Sequence, residues 1–108
     1  MPRYRQGAPN PVWLPHWEYL GGQNIAGDGT VQTATIPAGT QIFEIDAEDG
    51  EVFYTINGPS VADIGYVPLN GARIVGPLVN LNALFVNCAA GVTAHIMYFR
   101  ESTKRRMG

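Results

Sequence analysis

Short runs of β-branched and aromatic residues recur along this chain, and each is cut off by Gly, Pro, Asn or Asp before it grows long. That punctuation restricts the fold more than any other feature of the sequence. Such runs are strands, and turn signals repeated at these intervals are those of a sandwich or barrel. Thirteen Gly and eight Pro in 108 residues leave no convincing helix; positions 60–65 have room for a single turn. The expectation is an all-β chain, an antiparallel β-sandwich of jelly-roll or immunoglobulin-like type.

Residues 31–36 (VQTATI) form the first run, and Ile36-Pro37-Ala38-Gly39 suits a type I turn. In 40–47 (TQIFEIDA), Phe43 and Ile45 alternate with Glu44 and Asp46, the mark of a half-buried strand. Asp49-Gly50 is a strong hairpin signal and predicts that 51–56 (EVFYTI) returns beside that strand, with Val52, Tyr54 and Ile56 on one face. Asn57-Gly58-Pro59 closes the unit. The runs 65–69 and 72–75 flank Asn70-Gly71 and predict a second hairpin, with Pro68 at an edge or strand end. The runs 78–89 and 92–100 flank Ala90-Gly91 and predict a third. In the last strand Val92, Ala94, Ile96 and Tyr98 oppose Thr93, His95, Met97 and Phe99. Both of its faces carry apolar side chains, so one packs in the core and something covers the other.

Charged residues are only 15% of the chain and hydrophobic residues 45%, where a soluble domain carries about 25% charge. This excludes a disordered chain and fits one domain with its own core. Arg3 and Arg5 are followed by Pro9, Pro11 and Pro15 instead of an apolar run, so no signal peptide is expected. No stretch approaches the about 18 apolar residues of a membrane span, and a membrane is not an expected partner. The lone Cys88 excludes an intrachain disulfide and a Cys-based zinc site, which suits synthesis in a reducing cytoplasm. The net charge of −2 hides a division. Asp28, Glu44, Asp46, Glu48, Asp49, Glu51 and Asp63 form a block free of Lys and Arg, while Arg3, Arg5, Arg100, Lys104, Arg105 and Arg106 sit near the ends. These opposite charges attract within a subunit or between subunits. Residues 101–108 are taken as a solvated basic tail, and nucleic acid is not an expected partner.

No catalytic constellation emerges. The acidic run Asp46, Glu48, Asp49, Glu51 lacks the spacing of a calcium loop and is better taken as solvated charge at a turn. His16 and His95 are too far apart in sequence to imply a metal site or an acid–base pair, and His95 is expected to be packed or at an interface. Cys88 lies in an apolar strand with no cation nearby to activate it. Ser60 and Ser102 lack a nucleophile-elbow context. No enzyme activity, cofactor or metal is expected. The aromatics Tyr4, Trp13, Trp17, Tyr19, Tyr54 and Tyr66 leave a sugar-stacking platform as an alternative.

Residues 1–24 differ from the rest, combining Pro2, Pro9, Pro11 and Pro15 with Trp13, His16, Trp17 and Tyr19. Prolines fix φ, remove amide donors and extend their neighbours, so an extended arm is expected, ahead of a sandwich over 25–100. Its aromatics need a surface, on their own sandwich or on a neighbouring molecule. Trp13, His16, Trp17 and Tyr19 are the expected contact residues of the arm, and His95, Met97 and Phe99 those of a subunit interface.

The succession IPAGTQIFEIDAEDGEVFYTING, YVPLNGARIVGP and LFVNCAAGVTAHIMYF resembles the small β-sandwich structural proteins of tailed-bacteriophage virions, most of all the capsid decoration (cement) proteins. Pro68-Leu69-Asn70-Gly71 and residues 89–99 carry the match, which covers roughly 31–99 and leaves out the arm. The resemblance implies a non-enzymatic protein of the virion surface, an oligomer, often a trimer, that binds the major capsid protein and ties capsomers together. Tail, neck and head-fibre components share the pattern and remain alternatives, as does a carbohydrate- or receptor-binding module. Low charge and a single lysine independently suit a subunit whose surface is buried by neighbours.

Overall fold

The computed structural model describes residues 16–58 and 65–102. They form eight strands: β1 (Trp17–Ala26), β2 (Val31–Thr33), β3 (Ile42–Glu48), β4 (Val52–Ile56), β5 (Gly65–Val67), β6 (Ala72–Val75), β7 (Leu84–Cys88) and β8 (Thr93–Glu101). The chain is all-β, with two antiparallel four-stranded sheets of order β1-β8-β3-β6 and β2-β7-β4-β5. Strand pairs with strand from the ends inward: β1 with β8, β2 with β7, β3 with β6, β4 with β5. The first half of the chain thus lies antiparallel along the second, like one long hairpin. Its tip lies between β4 and β5. The hairpin is rolled until β8 also meets β3 and β7 also meets β4.

This arrangement corrects all three predicted hairpins. Asp49-Gly50, Asn70-Gly71 and Ala90-Gly91 each carry the chain from one sheet to the other. The turn chemistry is present, since Asp49 (φ 69°), Asn70 (φ 55°) and Gly91 (φ 89°) are left-handed. A two-residue type I′ hairpin needs positive φ at both central positions, and Gly50 and Gly71 are not among the positive-φ residues. One left-handed residue bends the chain without selecting its partner. The partner is set by burial, which places the apolar faces of successive strands on opposite walls of one core. The turn after β2 also differs. Thr40 N–H donates to Pro37 O (3.3 Å) and Gly39 has φ 87°, so the turn is Pro37 to Thr40 with Gly in the position where type II requires it.

The links 27–30, 49–51, 68–71 and 89–92 gather at one end, because Ala26 and Glu48 both lie opposite Thr93, and Val67 and Cys88 both lie opposite Val52. Asp49 N–H donates to Asn70 Oδ1 there (3.2 Å). At the opposite end β1 begins and β8 finishes, and Ser102 N–H donates to His16 O (2.6 Å). The last residues of the expected arm are among those described. Residues 17–24 are strand, part of a ten-residue β1 on the edge of its sheet. The prolines of this segment end at Pro15, and every residue from His16 to Ala26 has an amide to donate. Leu20 is the extra residue of a bulge, and Gly21 after it has φ 139°. Residues 1–15 with Trp13, residues 59–64 with Ser60, and residues 103–108 lie outside the described residues.

Alternation places the core where the sequence predicts it. Phe43, Ile45, Val52, Tyr54, Val86, Ala94, Ile96 and Tyr98 are buried between the sheets. Phe43 meets Tyr54 edge-on, with ring centres 5.9 Å apart. The Tyr98 hydroxyl donates to Gln23 Oε1 (3.2 Å), and burial pushes its pKa from 10.0 up to about 12. Asn57, left-handed at the end of β4, binds the link between β6 and β7. Its Oδ1 accepts from the Asn82 and Ala83 amides (2.7 and 3.0 Å), and its Nδ2 donates to Asn80 O (2.6 Å).

Two predictions follow from these contacts. Because the Tyr98 phenol binds its proton more tightly when folded, stability is unaffected below the unfolded pKa and is lost between about pH 10 and 12, by of order 2 kcal/mol. Denaturant unfolding across that range, with tyrosinate absorbance recorded alongside, measures it. Asn57→Ala removes three hydrogen bonds and leaves a left-handed alanine, and is expected to cost about 2 kcal/mol in a denaturant melt.

Candidate functional site

The outer face of the β1-β8-β3-β6 sheet concentrates the candidate residues. In β8, Ala94, Ile96 and Tyr98 turn into the core, leaving Thr93, His95, Met97, Phe99 and Glu101 outside. Register then sets their neighbours. Phe99 lies between Tyr19 and Ile42, Met97 between Gly22 and Glu44, and His95 between Asn24 and Asp46. From β6, Ile74 lies beside Glu44 and Ala72 beside Asp46. The face divides into an apolar half near the start of β1 and a polar half near the links.

In the apolar half, Trp17, Tyr19 and Ile74 are 40%, 59% and 68% exposed. Tyr19 leans on Phe99, ring centres 5.7 Å apart, and its hydroxyl lies over Gly22, where a Cβ would stand 2.9 Å from it. Glycine there lets the aromatic ring lie along the sheet. Trp17, Ile42, Glu44, Ile74 and Phe99 line an open groove of about 250 Å³. Trp17 and Tyr19, expected as contacts of the arm, and Met97 and Phe99, expected at a subunit interface, lie together on this patch, which two strands distant in sequence build. Ile42 and Ile74 were not singled out from sequence; the alternation of β3 with Glu44 points to Ile42, but the partner strand of β6 was not legible.

In the polar half, His95 Nδ1 lies 2.7 Å from Asn24 Oδ1 and Nε2 lies 2.6 Å from Glu48 Oε1. The imidazole is held by hydrogen bonds on both sides, which orients it along the face. Glu44 and Asp46 project side by side from β3, and the hydrogen bond with Asp46 together with burial raises the Glu44 carboxyl above its ordinary value. Asp46 Oδ1 is enclosed and has no hydrogen-bond partner among the described residues. No three His, Cys, Asp or Glu side chains among the described residues gather closely enough for a metal ion.

The remaining candidates disperse. His16 is exposed at the start of β1, beside Ser102. Seven residues of β8, about 23 Å, separate that point from His95, so the two histidines do not converge. Tyr54 is buried against Phe43, while Tyr66, on the neighbouring strand of the same sheet, stacks on Phe53 and donates to Glu51 Oε2 (3.0 Å). The described aromatics therefore do not form one stacking platform. Cys88 is buried, and burial raises its thiol pKa. A wider depression of about 620 Å³ at the linking end is lined by Gly29, Asp49, Glu51, Leu69 and Ala89 and brings together no reactive pair. Among the basic residues, Arg100 pairs with Glu18 (3.1 Å), and Arg73 reaches across the sandwich edge to Tyr66 O (3.1 Å).

No protein-family model, curated protein or solved structure matches this chain.

Because the patch is exposed, its residues support the fold little. Ile74→Ser is expected to change stability by less than about 0.5 kcal/mol and His95→Ala by less than about 1 kcal/mol. Thermal melts check both, and a reporter dye for apolar surface should bind the Ile74 variant less than the parent.

Proposed function

We propose that this chain is a non-enzymatic structural protein of a tailed-phage virion, a capsid decoration subunit that associates with itself and with the major capsid protein at the particle surface. The observation that carries the proposal is the continuous apolar patch of Trp17, Tyr19, Ile42, Ile74, Met97 and Phe99 on an outer sheet face. An exposed apolar patch of this kind is suited to burial against another molecule.

The strand order supports a jelly roll, the eight-stranded double-sheet form found among capsid and lectin domains. Immunoglobulin-type sandwiches place strands adjacent in sequence beside each other in both sheets, whereas here only β4 and β5 are such a pair. Fold alone does not assign function. The virion reading joins that fold to the low surface charge, the single lysine and the sequence resemblance. His95, Met97 and Phe99 belong to the subunit contact in this account, and Trp17 and Tyr19 extend it from β1.

The test is the copy number of this chain in purified particles, by quantitative mass spectrometry against the major capsid protein. A fixed ratio with hundreds of copies is the expected result. A handful of copies would place the chain in the neck, tail or a fibre, and absence from particles would overturn the virion assignment.

A further inference from the structure

We infer that the groove and acidic row on the outer face of the β1-β8-β3-β6 sheet receive residues 1–15 of a neighbouring copy of this chain. The inference rests on the self-association proposed above and names the segment and the surface that carry it.

The complementarity is one of order as well as of kind. Along the face, the groove of Trp17, Ile42, Glu44, Ile74 and Phe99 gives way to Asp46 and Glu48. Along the segment, Trp13 and Leu14 are followed, toward the N-terminus, by Arg5 and Arg3, with no acidic residue among the fifteen. Eight residues separate Trp13 from Arg5, about 25 Å when extended. Eight residues of β8 separate Glu101, opposite Trp17, from Thr93, opposite Glu48, about 26 Å. A segment with its tryptophan in the groove therefore brings its arginines to the carboxylates. The enclosed Asp46 Oδ1, which has no hydrogen-bond partner among the described residues, lies two residues along β3 from Glu48 and is relieved by a cation there.

The neighbouring copy is favoured over the same chain by the direction in which β1 begins. The Ser102 amide bond to His16 O extends the β1–β8 ladder to residue 16, so a segment that continued the direction of β1 would leave its own sheet. To lie on its own face it would have to reverse within residues 14–16. Pro15 biases Leu14 away from the compact conformations of a reversal, and Pro11 and Pro9 do the same to Asn10 and Ala8. Fifteen extended residues reach about 45 Å, enough to leave one sandwich and cross the face of the next. The groove itself lies at the end where β1 starts, so a neighbour meeting that end presents its groove to the departing segment.

The experiment is sedimentation velocity on the full chain over a wide concentration range, with two variants studied alone and mixed. Arg3→Glu/Arg5→Glu alters only the segment, and Ile74→Glu alters only an exposed position of the face. The expected result is a self-associating parent that weakens at high salt, with association reduced at least about tenfold in each variant. An equimolar mixture should associate more tightly than either variant alone, because intact segments of one then meet intact faces of the other. A parent that stays monomeric, variants that associate like the parent, or a mixture that recovers nothing would each overturn the inference. A monomer that is nevertheless abundant on particles would remove segment exchange while leaving the decoration role; a self-associating chain absent from particles would do the reverse.

Discussion

The ladder that β8 forms with β1 on one side and β3 on the other is the interaction on which the rest depends. It closes the rolled hairpin by joining the last strand to the first. It also sets which residues face in. With Ala94, Ile96 and Tyr98 committed to the core, the period of two obliges His95, Met97 and Phe99 to face out. A slip of β8 by one residue would exchange its core and surface residues while leaving its neighbours as they are. The outer patch is thus a consequence of the same register that builds the interior.

The ends of the molecule differ chemically because the strand order sorts them. The linking end gathers Asp28, Asp49 and Glu51 with glycine-rich turns. The other end holds the start of β1, the finish of β8 and the apolar groove. Apolar surface near one end and carboxylates toward the other give the face a direction, which the proposed partner segment would match. Exposed Tyr66 and Val31 show that the second sheet has apolar surface as well, but there the large rings of Phe53 and Tyr66 satisfy each other.

Local features were legible in the sequence to the extent that they are local. The alternation of Phe43 and Ile45 with Glu44 and Asp46, and of Ala94, Ile96 and Tyr98 with His95, Met97 and Phe99, locates core and surface within each strand. Turn positions at Asp49, Asn70 and Gly91 were legible too, because φ demands are written in the residue type. Partner choice was not. A turn residue does not record whether the chain returns beside its last strand or crosses to the other sheet, and that depends on how all eight strands share one interior. The same limit hid Ile74, whose place beside Glu44 exists only once β6 is on β3. The pairing of residues 17–24 with β8 was not legible either, since their company upstream is proline-rich as far as Pro15 and the strand begins two residues later.

The central claim is that the outer face of β1-β8-β3-β6 is a buried contact in the assembled state. Hydroxyl-radical footprinting of the dilute chain and of assembled particles tests it directly. The account predicts strong protection of Trp17, Tyr19, Met97 and Phe99 on assembly, with Tyr66 and Val31 on the opposite sheet protected far less. Equal reactivity of the first group in both states, or protection confined to Tyr66 and Val31, would contradict it.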